Sequence, residues 1–266
     1  MATENETALI DLTPAQLESW KRDGFLYIKA QDFWTPQQIE NLKKWTADVE
    51  TWSETPGKWM MYFSKSVRQD DEGRRLLHRL ENFFDFHAGF NEAFNGERFL
   101  HLVTQLFNGD RAILHKEKIN FKYPGGEGFE PHQDHAAGWW MYGQSLHISI
   151  MVNIDQATKE NGCLEVVAGE HNKGLLGPEF QAVPQELVDK YTWIPLETNP
   201  GDIVFFDSYV PHRSAPNLSD KPRRVLYVTY SKEKEGDYRS KYYEDKRQSF
   251  PPDCEREEGK DYSYKI

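Results

Sequence analysis

Cysteine is scarce in this chain: there are 2 in 266 residues, Cys163 and Cys254, far apart and without CxxC spacing. That excludes a disulfide framework and fits a reducing compartment. Long apolar runs are missing as well, and none approaches the length of a membrane span. The opening MATENETALIDL has neither the basic start nor the apolar stretch of a secretory signal. Positive charge is in deficit, with a formal net charge of −11, which argues against nucleic acid or an anionic membrane surface as the main partner. Internal repeats and low-complexity linkers are absent too. The expectation is a soluble, cytoplasmic protein acting on a small molecule, with one domain over residues 1–266. Its oligomeric state stays open.

What is present is aromatic and patterned. Aromatics make up 14% of the chain, and each buries a large area, so a sizeable core is available. Residues 13–108 read as mainly helical. Thr13-Pro14-Ala15-Gln16 and Thr35-Pro36-Gln37-Gln38 repeat one start signal: Thr as N-cap, Pro at the first helical position, Gln three after the cap. GFLYIKA between them (24–30) predicts a strand, and a helix is expected over Glu92–Phe107. The polar stretch Ser53–Arg74 reads as a loop over a site. From Ala112 onward, AILHKEKINFKYP, LHISIMVNID, GCLEVVAGEH, WIPLE, GDIVFFDS and RRVLYVTYS are short β-type runs broken by Gly, Pro or Asn. They point to a mainly β sandwich or closed barrel over about 110–232 with flanking helices, followed by a charged tail. Tyrosines at 238, 242, 243, 262 and 264 suggest that part of this tail docks.

The chemistry concentrates in His132-Gln133-Asp134-His135. In a strand, positions i and i+2 face the same way, which delivers His132 and Asp134 into one cavity and turns Gln133 and His135 away. His212, at the end of the run GDIVFFDSYVPH, can supply a third ligand. Two histidines and a carboxylate with open positions suit non-haem Fe(II); a zinc hydrolase with the same ligands competes. A non-catalytic β-barrel binding protein is a further alternative, though it has no need of three ligands in order. His147 reads as a barrel-wall histidine, His171 as a loop-holding hydrogen bonder and Cys163 as an inert buried thiol.

Eleven residues past His212 lies Arg223, able to grip a carboxylate bidentately, and Ser214 offers a hydroxyl on the same side. With these, the chain resembles the phytanoyl-CoA dioxygenase family of Fe(II)- and 2-oxoglutarate-dependent oxygenases. The carrying segments are LTPAQLESWKRDGFLYIK, HQD, ENGCLEVVAGEH and NPGDIVFFDSYVPHRSAPNLSDKPRRVLYVTY. The resemblance implies a double-stranded β-helix (jelly roll, cupin-like) with Fe(II) held by His132, Asp134 and His212. It also implies 2-oxoglutarate held by Arg223, Ser214 and Asn120, O2 as co-substrate, and hydroxylation as the reaction. Alternation allows only one of Arg223 and Arg224 to point inward, and the spacing from His212 favours Arg223.

Members of this family oxidise acyl-CoA thioesters, amino acids, alkaloids and phosphonates, so the substrate has to be sought in local residues. Alternation groups Lys116, Lys118, Asn120 and Lys122 on one face, and an inward Lys116 or Lys118 would favour an anionic group. The aromatics Tyr62 in KWMMYFS and Trp140 beside Trp139, with His135, are candidate walls for an ammonium. An aminoalkylphosphonate satisfies both hints. The sequence is similar to bacterial 2-aminoethylphosphonate dioxygenases, which implies C1 hydroxylation of that compound or its N-trimethyl form. An amino acid, an ectoine-like compound or an acyl-CoA are the alternatives.

Overall fold

Thr13 and Thr35 start helices as the sequence predicts. In each, the threonine hydroxyl accepts from the backbone N–H three residues on, and the Gln side chain there returns a bond to the cap. In the computed structural model, which describes residues 9–262, these helices are α1 (Pro14–Asp23) and α2 (Pro36–Glu50), with β1 (Phe25–Ile28) between them. The chain turns from α1 into β1 at Gly24, whose φ of 80° favours a residue without Cβ. There follow β2 (Met60–Lys65), β3 (Arg75–Glu81), α3 (Ala88–Phe94) and α4 (Glu97–Leu106). Then come β4 (Ala112–Lys122), β5 (Phe129–His132), β6 (Ile148–Asn153), β7 (Leu164–Val166) and the single-turn α5 (Gln185–Val188). The series closes with β8 (Ile194–Leu196), β9 (Ile203–Asp207), β10 (His212–Ser214), β11 (Arg223–Lys232) and α6 (Arg239–Ser249).

All pairings are antiparallel. Seven strands form one sheet in the order β1-β9-β6-β11-β4-β3-β2, and four form a second in the order β5-β10-β7-β8. This is the mainly β architecture with flanking helices that the strand runs imply, and the jelly roll that the family resemblance implies. Three expectations need correction. The stretch 13–108 is less helical than expected: besides the predicted β1, strands β2 and β3 also join the large sheet. The stretch 53–74 is not a loop throughout, since β2 pairs along β3 from Met60↔Glu81 to Lys65↔Arg75. The helix expected over 92–107 is two helices, separated at Asn95-Gly96.

Alternation along β11 and β4 sorts residues between two compartments. Leu226, Val228, Tyr230, Ile119 and Phe121 face the helices and join Phe84, Phe90, Phe94, Phe99 and Leu102 in the main core. Burying each such phenylalanine contributes roughly 1.5–3 kcal/mol. Val225 and Tyr227 face the other way, with Met151, Val204, Phe206, Leu164 and Val166, into a smaller apolar cluster. The functional side chains of β4 and β11 project on this second side. A β-bulge near Thr229 and Tyr230 of β11 shifts the register, so that Lys116 lies opposite Thr229 and Leu114 opposite Tyr230. It leaves Lys116 on the same face as Lys118, Asn120 and Lys122. No helix of the described residues is long and apolar enough to cross a membrane.

Candidate active site

His132 ends β5 and His212 opens β10, and the two are direct ladder partners. Antiparallel pairing therefore sets the two imidazoles side by side, with ring centroids 4.2 Å apart and the planes tilted by 54°. Asp134 lies past the end of β5, at the start of a 3₁₀ turn over Asp134–Ala137. It reaches the same space by that turn, not by continued strand alternation. Its Oδ1 is 3.8 Å from His132 Nε2 and 3.9 Å from His212 Nε2. One ligand atom from each of the three lies within 4.8 Å of the others, which suits a single cation at the centre.

The surroundings prepare these groups for a metal. His132 Nδ1 donates to the Glu130 carbonyl at 2.6 Å, and His212 Nδ1 donates to the Val210 carbonyl at 3.0 Å. Each ring thereby keeps its Nε2 lone pair for the centre. Burial, then the neighbouring His212, pushes His132 down to about 3, and burial also lowers His212. Both are neutral near pH 7, the state a metal needs. Burial alone would raise Asp134, but His212, Lys116 and Lys118 outweigh it and hold the carboxyl well below its ordinary value. Ser149 donates to Asp134 Oδ2 at 3.2 Å and sits 2.9 Å from Thr229 Oγ1.

Beside the three ligands, Lys118, Asn120, Phe206, Ser214 and Tyr227 line an inner bay. Arg223, only 1% exposed, lies behind it next to Tyr227. Its Nε and Nη1 have no hydrogen-bond partner among the described residues, and neither does Asn120 Oδ1. Unmet buried donors on a guanidinium are costly unless a ligand completes them, and a carboxylate fits that fork. Lys122, the ladder partner of Arg223, donates from Nζ to Ser214 Oγ at 2.8 Å and to the Ala215 carbonyl at 2.6 Å. Arg224 faces the opposite side, held by Asp155 and Glu50.

A cavity of about 430 Å³ opens on the other side of His132 and Asp134. Tyr62, Lys116 and Lys118 line it, as the sequence suggests. Lys116 Nζ also lies 4.1 Å from the ring centroid of the buried Trp139. His135 and Trp140 do not line it. His135 is buried and stacked on Tyr209 at 4.2 Å, and Trp140 is 46% exposed on the surface. The turn that delivers Asp134 inward carries His135 elsewhere, and Trp140 lies on the next 3₁₀ turn, over Trp139–Tyr142. Gln133 is buried as well: it donates to the Gly174 and Tyr209 carbonyls and accepts from Leu176 N–H, locking this turn to the neighbouring loops. His147 fits its wall reading, fully buried with Nε2 2.8 Å from Gln144 Oε1, and Cys163 is a buried free thiol.

Sequence reasoning missed several wall residues, among them His78 and Arg79 on β3, Glu127 and Glu130 at β5, and Phe250 and Arg256 in the tail. His78 and Arg79 are neighbours, and both reach the cavity because a β-bulge in β3 pairs Tyr62 with Arg79 and Phe63 with Leu77, which strict alternation does not foretell. The tail residues carry no local signal. Of the tail tyrosines, Tyr243 is buried against Met60 and Tyr62, and Tyr238 stacks on Tyr142. Tyr264 lies outside the described residues.

The profile of the phytanoyl-CoA dioxygenase (PhyH) family matches residues 20–225. A 2-aminoethylphosphonate dioxygenase of the uncultured bacterium HF130_AEPn_1 is 46% identical over 252 residues, covering 94% of each chain. A methylphosphonate hydroxylase of Gimesia maris is 40% identical over 240 residues, 90% of this chain and 88% of that one. Among solved structures, EctD from S. alaskensis, with 2-oxoglutarate and 5-hydroxyectoine, superposes with a TM-score of 0.69 at 17% identity. It covers 87% of this chain and 82% of EctD, a likeness of fold.

Proposed function

The chain belongs to the phytanoyl-CoA dioxygenase family of Fe(II)- and 2-oxoglutarate-dependent oxygenases, and on that footing we propose that it hydroxylates a small phosphonate in the cytoplasm. The substrate is 2-aminoethylphosphonate or its N-trimethyl form, and the position is C1, the carbon bearing phosphorus. The relatives named for 2-aminoethylphosphonate and methylphosphonate support this reading. The observation that carries it is the cavity wall. In a protein of net charge −11, Arg79, Lys116 and Lys118 line the space that His132 and Asp134 face. A concentrated positive wall against an acidic background attracts and orients a small anion.

The residues divide the work. His132, Asp134 and His212 would hold the iron, three ligands on one side with the remaining positions open. Arg223 would grip the far carboxylate of 2-oxoglutarate, with Ser214 and Asn120 as polar partners along the bay. Iron held there would, with 2-oxoglutarate and O2, supply the oxidant, giving succinate and CO2 as co-products and one oxygen atom to the substrate. The chain's own share is placement and exclusion of water. Phe206, Leu164 and Tyr227 give the inner bay apolar walls. On the substrate side Lys116 and Lys118 hold the anion, and Glu127 and Glu130 at the same cavity face the ammonium of a zwitterion.

The test is anaerobic protein with Fe(II) and 2-oxoglutarate, followed by oxygen, with succinate and oxidised product counted together. The panel holds 2-aminoethylphosphonate, its N-trimethyl form, methylphosphonate, an amino acid, ectoine and an acyl-CoA. We expect succinate and hydroxylated product in equal amounts with an aminoalkylphosphonate. Coupling to another panel member and to no phosphonate would overturn the substrate.

A further inference from the structure

The cavity is not completed by the jelly roll. Its remaining wall comes from the segment after β11, beyond the 20–225 that the family profile covers. That segment is held in place by buried charge. Arg239 of α6 pairs with Glu117 of β4, whose side chain is fully buried, and Lys246 pairs with Glu81 of β3. The Tyr243 hydroxyl exchanges bonds with the backbone of Glu117. Further on, Glu255 accepts from Gly57 N–H and pairs with Arg247, and the Tyr62 hydroxyl donates to the Phe250 carbonyl at 2.9 Å. Phe250 stacks on Tyr62 with ring centroids 5.3 Å apart. These contacts fix residues 250–256 against β2 and leave Phe250 and Arg256 on the cavity.

Arg256 differs from the other arginines of the segment. Arg239 and Arg247 are each engaged by a carboxylate. Arg256 directs Nε to the Pro251 carbonyl at 3.3 Å, lies over the Phe250 ring at 4.8 Å, and forms only a longer ion pair, 3.6 Å from Nη1 to Asp253. Its Nη groups make no hydrogen bond among the described residues. Side-chain exposure of 32% keeps it reachable from the cavity mouth. A guanidinium braced at Nε and on an aromatic face, with two nitrogens left to donate, is pre-organised for an oxyanion with paired oxygens.

From this geometry we infer that Arg256 is a specificity-determining residue that binds the phosphonate group of the substrate, closing from the tail a cationic cage whose other members stand on β3 and β4. The inference rests on the substrate reading above and deepens it. The jelly roll carries the iron and 2-oxoglutarate positions, while residues 250–256 carry part of substrate choice.

Arg256→Met, Arg256→Lys and wild type are compared in coupled turnover, in 2-oxoglutarate binding followed by the Fe(II) charge-transfer band, and in thermal melts. Arg256→Met is expected to raise KM for the phosphonate roughly tenfold or more, the effect of losing a charge-assisted hydrogen bond. Its 2-oxoglutarate affinity and melting temperature should match wild type, and Arg256→Lys should recover part of the loss. An unchanged phosphonate KM, or equal losses in 2-oxoglutarate binding and melting temperature, would overturn the role. Inorganic phosphate, titrated by calorimetry, separates this inference from the substrate reading. If wild type oxidises no phosphonate, that reading fails; phosphate binding that weakens in Arg256→Met still supports the anion site, and equal binding by both proteins sinks it.

Discussion

Arg223 and Arg224 are adjacent on β11, yet one is buried beside Tyr227 with two donors unmet and the other is tied to Asp155 and Glu50 on the opposite side of the sheet. Truncating them should therefore damage different things. Arg223→Ala is expected to raise the 2-oxoglutarate requirement by roughly a hundredfold, the upper range for a bidentate charged contact. Arg224→Ala should leave that requirement near wild type and cost on the order of 1 kcal/mol of stability. Steady-state kinetics in 2-oxoglutarate, with denaturant melts, decides the point; equal kinetic effects would undo the assignment.

Lys122 is expected to make 2-oxoglutarate binding proton-linked. Burial, then the charge of Arg223, pushes its ammonium down to about 6, so near pH 7.5 most of it is neutral in the free protein. A carboxylate arriving on Arg223 and Ser214 offsets the second cause and raises Lys122 again. Binding should then take up a fraction of a proton at about pH 7.5. Calorimetry in buffers of different ionisation heat measures the count. Lys122→Met should abolish the uptake and weaken binding, and an identical count in the variant would refute the linkage.

Asp207 sets a stability gradient of known sign. Burial raises this carboxyl from 3.8 to about 7, with the Tyr209 N–H acting in the opposite direction. The folded protein keeps a proton that the unfolded chain has lost between those values. Stability should fall as pH rises from about 4 and level off above about 7. Asp207→Asn can still accept from Tyr209 and has nothing to ionise. It should flatten the fall and raise the melting temperature at about pH 8, with a gain of at most a few kcal/mol. A steeper or unchanged slope in the variant would show the gradient to arise elsewhere.

Gly162, in the ENG of the loop before β7, has φ of +73°, and an added Cβ would collide with the Ala215 carbonyl, next to Ser214. Gly143 has a similar φ of +75° with nothing within 4 Å of an added Cβ. Gly143→Ala should cost only the left-handed penalty, about 1–2 kcal/mol. Gly162→Ala should cost more and also weaken 2-oxoglutarate binding, because Lys122 donates to both Ser214 and Ala215. Melts of the two variants side by side give the comparison. Equal losses would mean the collision is relieved by movement.

The sequence made the frame readable wherever a signal was local. Thr13 and Thr35 announced their helices through side chains three residues apart, and the β-rich runs announced most strands. The grouping of Lys116, Lys118, Asn120 and Lys122 held because alternation survives along the inner end of β4, past the bulge. Where a feature rests on distant partners, the local signal fails. β2 looked like a polar loop because its place is set by pairing with β3. Trp140 and His135 looked like walls because nothing local reveals that β5 stops at His132 and a 3₁₀ turn follows. The docking of α6 depends on Glu117 and Glu81, more than a hundred residues from their partners, so the tail tyrosines hinted at docking while nothing local showed where.

The direct pairing of His132 with His212 has a consequence for how such a catalyst can be altered. Ladder register sets the spacing of these two imidazoles, so changes in peripheral segments need not disturb the reactive centre. The segment that closes the cavity lies outside that ladder and is attached through side chains. Exchanging it between related chains would amount to changing the lock while keeping the bolt: a practical route to new phosphonate preferences on an unaltered oxidation site.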